Sequence, residues 1–495
     1  MRRKRAESKV LAPADLARKA AQAKVAGVTV VQCHGVFDVI HPGIIEHLER
    51  ARGKGDLLVV TVVSDAGLNA AGRKALFPQE TRIRNVVSLC AVDFACLVNE
   101  RDSAGAAELI APDLLAVGKT EKVPGGKIRV FETGEVLDEG TSVLTDFVHV
   151  YPEETRRFLR TFARRNLFAD VRRAVEAVEP LKVLLVGDGI IDEYHYCDTM
   201  GRSTKANLVV SKYLSHEVFA GGAFAVANHL AGICRQVDLV TLLGEADSRE
   251  EFVRSALRPN VKPIFFRRAD APTVIKKRYL HRYLNQKLFE VNYLNDVHIE
   301  GDLEDDVIAL LRGRMAEYDL VLIADFGHGF VTPRIARTLQ RSAARLAVNT
   351  QTNAANSGYN LITKYRSPMY ACLDELEVRL AAQDKFSPIE KVVRRVAKEV
   401  GTKSLLVTLG KAGSIGIDAS GKISRTPIFS STVVDTVGAG DAVFAFTAPC
   451  AARGIPLDLV GFIGNVVGAI AVQIMGNQRP VEREEFLELA AALLR

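Results

Sequence analysis

"DTVGAGDAVFAF", residues 435–446, joins a glycine-rich turn to the start of an apolar helix. Gly438, Ala439 and Gly440 can bring consecutive backbone N–H groups together at a helix N-terminus, where unpaired amides and the helix dipole favour an anion. Asp441 stands beside that anion hole. A carboxylate there is poorly placed to bind phosphate but well placed to take a proton from an attacking hydroxyl, as phosphoryl transfer requires of its base. A plain glycine turn with an N-capping aspartate would fit the same twelve letters, so the surrounding sequence has to decide.

Upstream, "LKVLLVGDGIIDEYHY", "VDLVTLLGE", "DLVLIADFG", "ARLAVNT" and "SLLVTLG" are five apolar strand-like runs separated by helical patterns. That rhythm predicts a parallel sheet with helices on both faces. "GDGIID" puts Asp188 and Asp192 just after the first strand, and "AGGAFAVANHLAG" puts Gly221 and Gly222 at a helix start. "NLVVSKYLSHEVFAGGA" alternates with period two and reads as a small β-flap beside the main sheet.

The region before it repeats the strand–helix rhythm. "VTVVQCHGVFD", "DLLVVTVVSD", "DFACLVNE" and "DLLAVG" read as strands, and "PGIIEHLERARGKG" and "PQETRIRNVVSLCAV" as helices, the first with Pro42 in its first turn and Gly53 and Gly55 near its end. Residues 151–180 are charged and amphipathic, with Phe158, Leu159, Phe162 and Leu167 on or near one face. The expected organisation is α/β, with two doubly wound parallel-sheet domains: residues 1–150 (core 28–150), a helical connector 151–180, and residues 181–495.

Composition bounds the function. The 495 residues are 48% hydrophobic and 25% charged, as in a globular protein, and no apolar run reaches the roughly 18 to 20 residues of a membrane helix. "MRRKRAESK" has no apolar segment behind it to make a secretory signal, so a cytoplasmic location is expected. Seven cysteines without a CxxC pair argue against a disulfide framework or structural zinc, and Cys33, Cys90 and Cys96 read as core residues. The net charge of +6 suits small anionic substrates; with no basic stripe interleaved with aromatics, neither nucleic acid nor membrane is an expected partner.

With the di-glycine, the Asp-bearing strand end and the near-terminal "DTVGAGD" in that order, residues 181–495 resemble the ribokinase-like (PfkB) sugar kinases. The resemblance implies Asp441 as catalytic base, Gly438, Ala439 and Gly440 as anion hole, and Asp188, Asp192, Gly221 and Gly222 at sugar hydroxyls. From "APTVIKKRY" it implies Thr273 and Lys276 on the substrate side. "DELE" resembles an Asn-x-x-Glu motif tied to Mg²⁺, with Asp374 and Glu377 in those places, the metal held through water. ATP and Mg²⁺ are the implied cofactors. Two departures stand out: Ala225 sits near the place of a sugar-contacting asparagine, and "AVNTQTNAANSGYN" replaces a segment that reads Asp-Pro-Lys.

Residues 28–150 carry "GVFDVIHPG", "HLERAR", "VVSDA" and "FPQETR" in order. They resemble the cytidylyltransferase-like nucleotidyltransferases, most closely the adenylyltransferase half of the bifunctional heptose-phosphate kinase/adenylyltransferases. The resemblance implies a Rossmann-like fold, His41 as a catalytic imidazole, and nucleotide contacts from Gly35, Phe37, Gly43 and Arg82. Ile44 replaces the second histidine of the family's HxGH, with His47 three residues on as a substitute imidazole or a solvated helix residue. Arg73 and Lys74 stand near a lysine of relatives, while "VGKTEK" and "GTSVLTD" only loosely match their nucleotide loops.

Relatives with both halves run kinase first, the reverse of the order here. The pairing implies phosphorylation of a sugar phosphate, heptose 7-phosphate-like, at its anomeric hydroxyl, coupled or formerly coupled to nucleotidyl transfer giving a nucleotide sugar. Its partners would be a sugar phosphate and a nucleoside triphosphate, with a homodimer through the flap, residues 206–220. The alternatives are a regulatory or scaffold protein that binds these ligands without turnover, and a kinase for another sugar with an inert N-terminal domain.

Overall fold

The structure, a computed structural model, describes residues 8–69, 75–100, 102–118, 128–133, 151–282, 286–354, 356–430 and 432–494. Arg73, Lys74, "GTSVLTD" and all of "VGKTEK" after Gly118 lie outside the described residues. The chain divides into two compact units, Met1–Val150 and Tyr151–Leu494. Both are α/β with parallel sheets.

In the first unit, β1 (Val30–Gly35), β2 (Leu57–Val63), β3 (Phe94–Val98), β4 (Leu114–Val117) and β5 (Arg129–Glu132) form one parallel sheet in the order β3-β2-β1-β4-β5. This is a Rossmann-type sheet whose order reverses between β1 and β4, and such sheets bind ligands at the carboxyl edge of that switch point. The loop after β1, "VFDVIH", lies at that edge. The valine-rich inner strands are buried, as strands covered on both faces must be. The edge strand β5 escaped the sequence reading because "RVFE" is too short to show a period. Cys33 and Cys96 are core residues, but Cys90 is exposed, since it follows the helix Gln79–Val87 in a surface turn.

The second unit begins with helices Glu153–Ala163 and Phe168–Val178. Their apolar side packs into this unit's own core: Phe162 stacks on Phe462 at 4.6 Å between ring centroids, and Val171, Val175 and Val178 are buried. Leu167, expected on that face, is 67% exposed because it caps the second helix. The main sheet has nine strands: β6 (Lys182–Gly187), β9 (Gln236–Gly244), β10 (Val261–Arg268), β13 (Leu320–Asp325), β14 (Leu346–Thr350), β15 (Tyr370–Asp374), β16 (Ser404–Thr408), β17 (Ser414–Asp418) and β18 (Ile423–Thr426). Their order is β10-β9-β6-β13-β14-β15-β16-β17-β18, parallel except for the β16–β17 and β17–β18 pairs. The order reverses between β6 and β13, so the carboxyl edge there is again the place for a ligand.

A separate four-stranded sheet, order β12-β11-β7-β8, is made by β7 (Gly189–Arg202), β8 (Val209–Gly222), β11 (Ile275–His281) and β12 (Lys287–Tyr293). It is the flap, and it is larger than the sequence suggested. "LKVLLVGDGIIDEYHY" holds two strands, β6 and the start of β7, and the chain crosses from core sheet to flap at Asp188. Val209, Tyr213, Phe289 and Tyr293 of the flap are exposed.

Candidate active site

The helix Ala439–Ala452 runs through the core with Phe444 and Phe446 fully buried, which fixes its first turn at the carboxyl edge of the main sheet. Gly438 precedes it at φ +83°, a left-handed conformation, and a Cβ there would fall 2.1 Å from Asn477 Oδ1. Only glycine fits. Gly438, Ala439, Gly440 and Asp441 all line a cleft of about 770 Å³.

Asp441 is 5% exposed and accepts a hydrogen bond from Gln351 Nε2 at 3.2 Å. Burial and the nearby charge of Asp192 push its carboxyl up to about 7, against the opposing pull of Lys276. Lys276, on β11, lines the same cleft and is buried, which lowers its pKa against the attraction of Asp192. Among the described residues its ammonium has no salt-bridge partner within 4.0 Å. A buried cation without a committed acid is costly to keep and ready for an anionic ligand.

Asp192, on β7, faces the cleft with Arg278 as its salt-bridge partner and Asn477 Nδ2 at 3.4 Å. Gly221 makes this possible: a Cβ there would lie 2.0 Å from Asp192 Oδ2. The di-glycine thus gives the carboxylate room, while of the pair Gly222 lines the cleft.

Asp188 and Thr273, expected at the sugar, do not line this cleft and are committed to backbone bonds. Asp188 accepts backbone N–H bonds from Phe326 (2.9 Å), His328 (3.4 Å) and Phe330 (3.3 Å) and so shapes the loop after β13. Burial and Asp325 raise its carboxyl to about 6 despite those amides. Thr273 donates to Ser248 O at 2.7 Å and accepts from Gly244 N at 3.0 Å, tying the end of β9 to the next loop. His328, beside Lys276, is buried and held neutral, its pKa lowered to about 3 by burial and that ammonium. Ala225 is buried and lines a second cavity of about 160 Å³ with Phe219, His229 and Asn477.

Asp374 and Glu377 cap the helix Glu375–Ala382 reciprocally: Glu377 N donates to Asp374 Oδ1 and Asp374 N to Glu377 Oε2, each at 2.7 Å. Thr352 N adds a bond to Glu377 Oε1 at 3.1 Å. Burial, with Asp374 beside it, lifts Glu377 to about 8. No cluster of three metal-ligating side chains occurs among the described residues. Two carboxylates at the cleft wall fit Mg²⁺, which keeps several waters and is held chiefly by one or two carboxylates and the substrate's phosphates.

The sequence reading missed Arg278, Gln351 and Asn477. It also missed the far end of the cleft, where Leu376, Leu409, Gly410, Gly413, Ile428 and Asn465 converge. "NTQTN" is now accounted for: Gln351 and Thr352 place one donor on Asp441 and one on Glu377, while Asn353 and Asn356 both bond Phe326 O at 2.8 Å.

In the first unit the turn after β1 is arranged otherwise. Phe37 is buried at φ +52°, and a Cβ on Gly35 would meet its ring at 3.3 Å. Asp38 accepts from the N–H groups of Leu76 (2.6 Å) and Phe77 (2.9 Å). His41 occupies the N-cap position of the helix Pro42–Arg52 without a side-chain capping bond, Gly43 lies in the first turn, and His41 Nε2 is buried without a hydrogen-bond partner among the described residues. Ile44, His47, Leu48 and Ala51 form the helix's buried stripe, so Ile44 belongs to the core.

His47 is neither a substitute imidazole nor a solvated residue. It is fully buried, its Nδ1 lies 2.8 Å from Thr133 Oγ1, and burial lowers its pKa to about 4. Arg82, expected at the nucleotide, is also fully buried. It donates to Phe77 O (3.0 Å), Val36 O (2.7 Å), Val63 O (2.8 Å) and Asp65 Oδ1 (2.6 Å), bracing the turn from below with no exposed surface for a phosphate.

Residues 33–124 match the cytidylyltransferase-like family, and residues 181–484, well over half of the chain, match the pfkB family of carbohydrate kinases. The bifunctional protein HldE of Trichlorobacter lovleyi is 28% identical over 316 residues, 62% of this chain and 63% of that protein. The bifunctional protein HldE of Campylobacter jejuni subsp. doylei is 26% identical over 301 residues, 60% of this chain and 62% of that protein. The matches thus span less than two thirds of these curated relatives. In fold, phosphofructokinase-2 from Escherichia coli in complex with potassium superposes with a TM-score of 0.51 at 16% identity, covering 64% of this chain and all of that one. Ribokinase from Thermotoga maritima gives 0.50 at 18%, covering 62% and 99%. With the pfkB match extending across the flap, the switch-point edge and the Gly438–Asp441 turn, this chain belongs to the pfkB family of carbohydrate kinases.

Proposed function

We propose that the second unit transfers the γ-phosphoryl group of ATP to the anomeric hydroxyl of a sugar phosphate, heptose 7-phosphate-like in size and charge. The observation that carries this reading is the buried Lys276 ammonium, without an acid partner among the described residues, in the cleft that also holds Asp192 and Asp441. A neutral sugar would leave that ammonium only the longer-range attraction of Asp192 and the ATP phosphates; a phosphorylated one would add a direct pair.

Asp192 orients sugar hydroxyls, Gly221 gives it room, and Asp441 takes the proton of the attacking hydroxyl. That oxygen bonds to the γ-phosphorus as the bridge to the β-phosphate breaks, and ADP leaves with the bond's electron pair. The amides of Gly438, Ala439 and Gly440 face the charge on the phosphoryl oxygens. Mg²⁺, held by Asp374 and Glu377 through water, would neutralise phosphate charge when bound. The apolar slot of Leu376, Leu409 and Ile428 suits the flat face of a base.

The reading extends to the domain plan. Residues 1–150 are a nucleotide-binding partner of the kinase, 151–180 pack with the kinase, and 181–495 are the kinase, in the reverse of the usual order. Partial identity to bifunctional HldE proteins supports linked kinase and nucleotidyl-transfer steps on one sugar, and the exposed apolar residues of the flap support a homodimer. A narrower reading of the first unit, nucleotide binding at His41 and Gly43 without transfer, is favoured by Ile44 in the core and by the buried Arg82.

The test is ADP release on a panel of sugar phosphates and free sugars, beside Asp441→Asn. Turnover with a phosphorylated acceptor that the variant loses supports the kinase. No turnover in either protein would favour a non-catalytic ligand-binding role.

A further inference from the structure

Lys287 opens the flap strand β12, and its Nζ lies 2.6 Å from Asp435 Oδ1. Asp435 is the first residue of the turn that ends in the anion hole, and it is only 6% exposed. Its Oδ1 also accepts from Val437 N at 3.1 Å, inside the turn. Its Oδ2 accepts from Tyr194 Oη at 2.7 Å and from Gly476 N at 3.1 Å. Flap strands β7 and β12, the turn itself and the loop before Asn477 therefore meet on one carboxylate. Among the described residues Lys287 is the one cation in salt-bridge contact with it. Burial alone would raise this carboxyl, but Lys287, Tyr194 and the Val437 amide outweigh it and hold the group below its ordinary range.

The same flap walls the cleft. Asp192 of β7, Lys276 and Arg278 of β11 and Glu290 of β12 all line it. Asn477, next to Gly476, reaches Asp192 at 3.4 Å and stands against Gly438. The sheet that faces the acceptor and the turn that faces the phosphoryl group are thus joined through Asp435.

We propose that Lys287 is a positioning residue for the anion hole: seating of the flap over the cleft delivers its ammonium to Asp435, and this fixes the turn that aims the amides of Gly438, Ala439 and Gly440. The purpose of the latch rests on the kinase reading above; its existence does not. Acceptor binding, which presses on the flap, and anion binding, which loads the turn, then favour each other by a reciprocal coupling.

Lys287→Met keeps the unbranched apolar stem and removes the charge. In the full, nucleotide-free chain, amide hydrogen exchange across residues 436–442 should rise about tenfold, the loss expected for one charge-assisted hydrogen bond, while β6 and β13 stay protected. Affinity for the non-hydrolysable ATP analogue AMP-PNP with Mg²⁺, read by calorimetry, should fall by a similar factor. Lys287→Arg should keep most of both. In Lys287→Ala, methylammonium should restore slow exchange and tetramethylammonium at equal ionic strength should not. Asp435→Asn gives a second route: combined with Lys287→Met, the two losses should not add, because both remove the same contact.

Unchanged exchange in Lys287→Met, or fully additive losses in the double variant, overturns the latch. If the unaltered chain fails to bind the ATP analogue, the kinase reading falls while the exchange measurements still decide the latch. If the chain binds it and Lys287→Met matches in both readouts, the latch falls and the kinase reading stands.

Discussion

The cleft of the second unit and the turn after β1 both gather polar groups at the carboxyl edge of a parallel sheet. They differ in what their polar groups are committed to. In the cleft, Asp192 is paired with Arg278, and Asp374 and Glu377 hold backbone amides, but Lys276 has no acid partner among the described residues and Asp441 spends one oxygen on Gln351. In the turn, Asp38 holds two backbone amides, Arg82 holds three carbonyls and Asp65, and His47 holds Thr133. His41 and His47 each keep a buried Nε2 without a hydrogen-bond partner among the described residues. A motif tells which loop the fold brings to the edge; whether its charges are already used inside the protein tells how much chemistry the loop can offer.

That contrast breaks first at Asp441. Asp441→Asn should lower ADP release with the best phosphorylated acceptor by about 10² to 10⁴, the usual worth of a general base, with AMP-PNP binding within a few-fold of the unaltered chain. Near-normal turnover in this variant would remove the cleft's claim to chemistry. Lys276→Met comes next. Losing one charged contact to an anion of the acceptor should raise KM for that acceptor by about 10- to 100-fold, with KM for ATP little changed. An equal loss for free sugars would show that Lys276 does not read the acceptor's phosphate.

The first unit is tested by Ile44→His. Ile44 lies on the helix's buried stripe, so the imidazole would enter an apolar core. It should cost about 2 kcal/mol of stability, visible as a lower Tm, with no gain in pyrophosphate release from nucleoside triphosphate and sugar 1-phosphate. A gain of more than about tenfold, the low end for restoring a preorganised donor, would mean the turn is a disabled transferase site and erase the contrast drawn here.

The legible parts of this protein were those with local causes. Strand runs and the glycine turn at a helix start before Asp441 are written in neighbouring residues, and they lie where the pattern placed them, whereas the reciprocal cap made by Asp374 and Glu377 was not read from "DELE". Residues whose role comes from distant closure were not legible. Lys287 meets Asp435 across 148 positions and Arg278 meets Asp192 across 86, pairings that only the docking of flap strands creates. Direction was also hidden. A helix shows its period in sequence, but which phase faces inward is set by packing, and this put Ile44 and His47 into the core. Asp188 and Arg82 show the converse: a charged residue in a motif can also be the group that holds the motif's backbone in shape.

The pH dependence gives the finest test. Asp441 must be ionised to accept a proton, and burial with the Asp192 charge lifts its carboxyl to about 7. In kcat/KM, the acid limb should therefore lie near neutrality, with a fall of about tenfold per pH unit below it, rather than near the ordinary aspartate value. Gln351→Leu removes the hydrogen bond that favours the ionised form, so it should move this limb upward. Stability follows the same titration with the opposite sense. A carboxyl whose folded pKa exceeds its unfolded one contributes stability below its unfolded pKa of 3.8 and loses it as pH rises through about 7. Asp441→Asn should then gain most in Tm over the unaltered chain at pH 8 and least at pH 4. Across the same range Ile44→His should show the opposite trend, a deficit that grows as pH falls below about 6.5, because an imidazole buried neutral binds its proton only in the unfolded chain. A flat Tm difference for Asp441→Asn, with an acid limb near pH 4, would mean that Asp441 is not held buried and charged, and the cleft would then differ from the turn in shape alone.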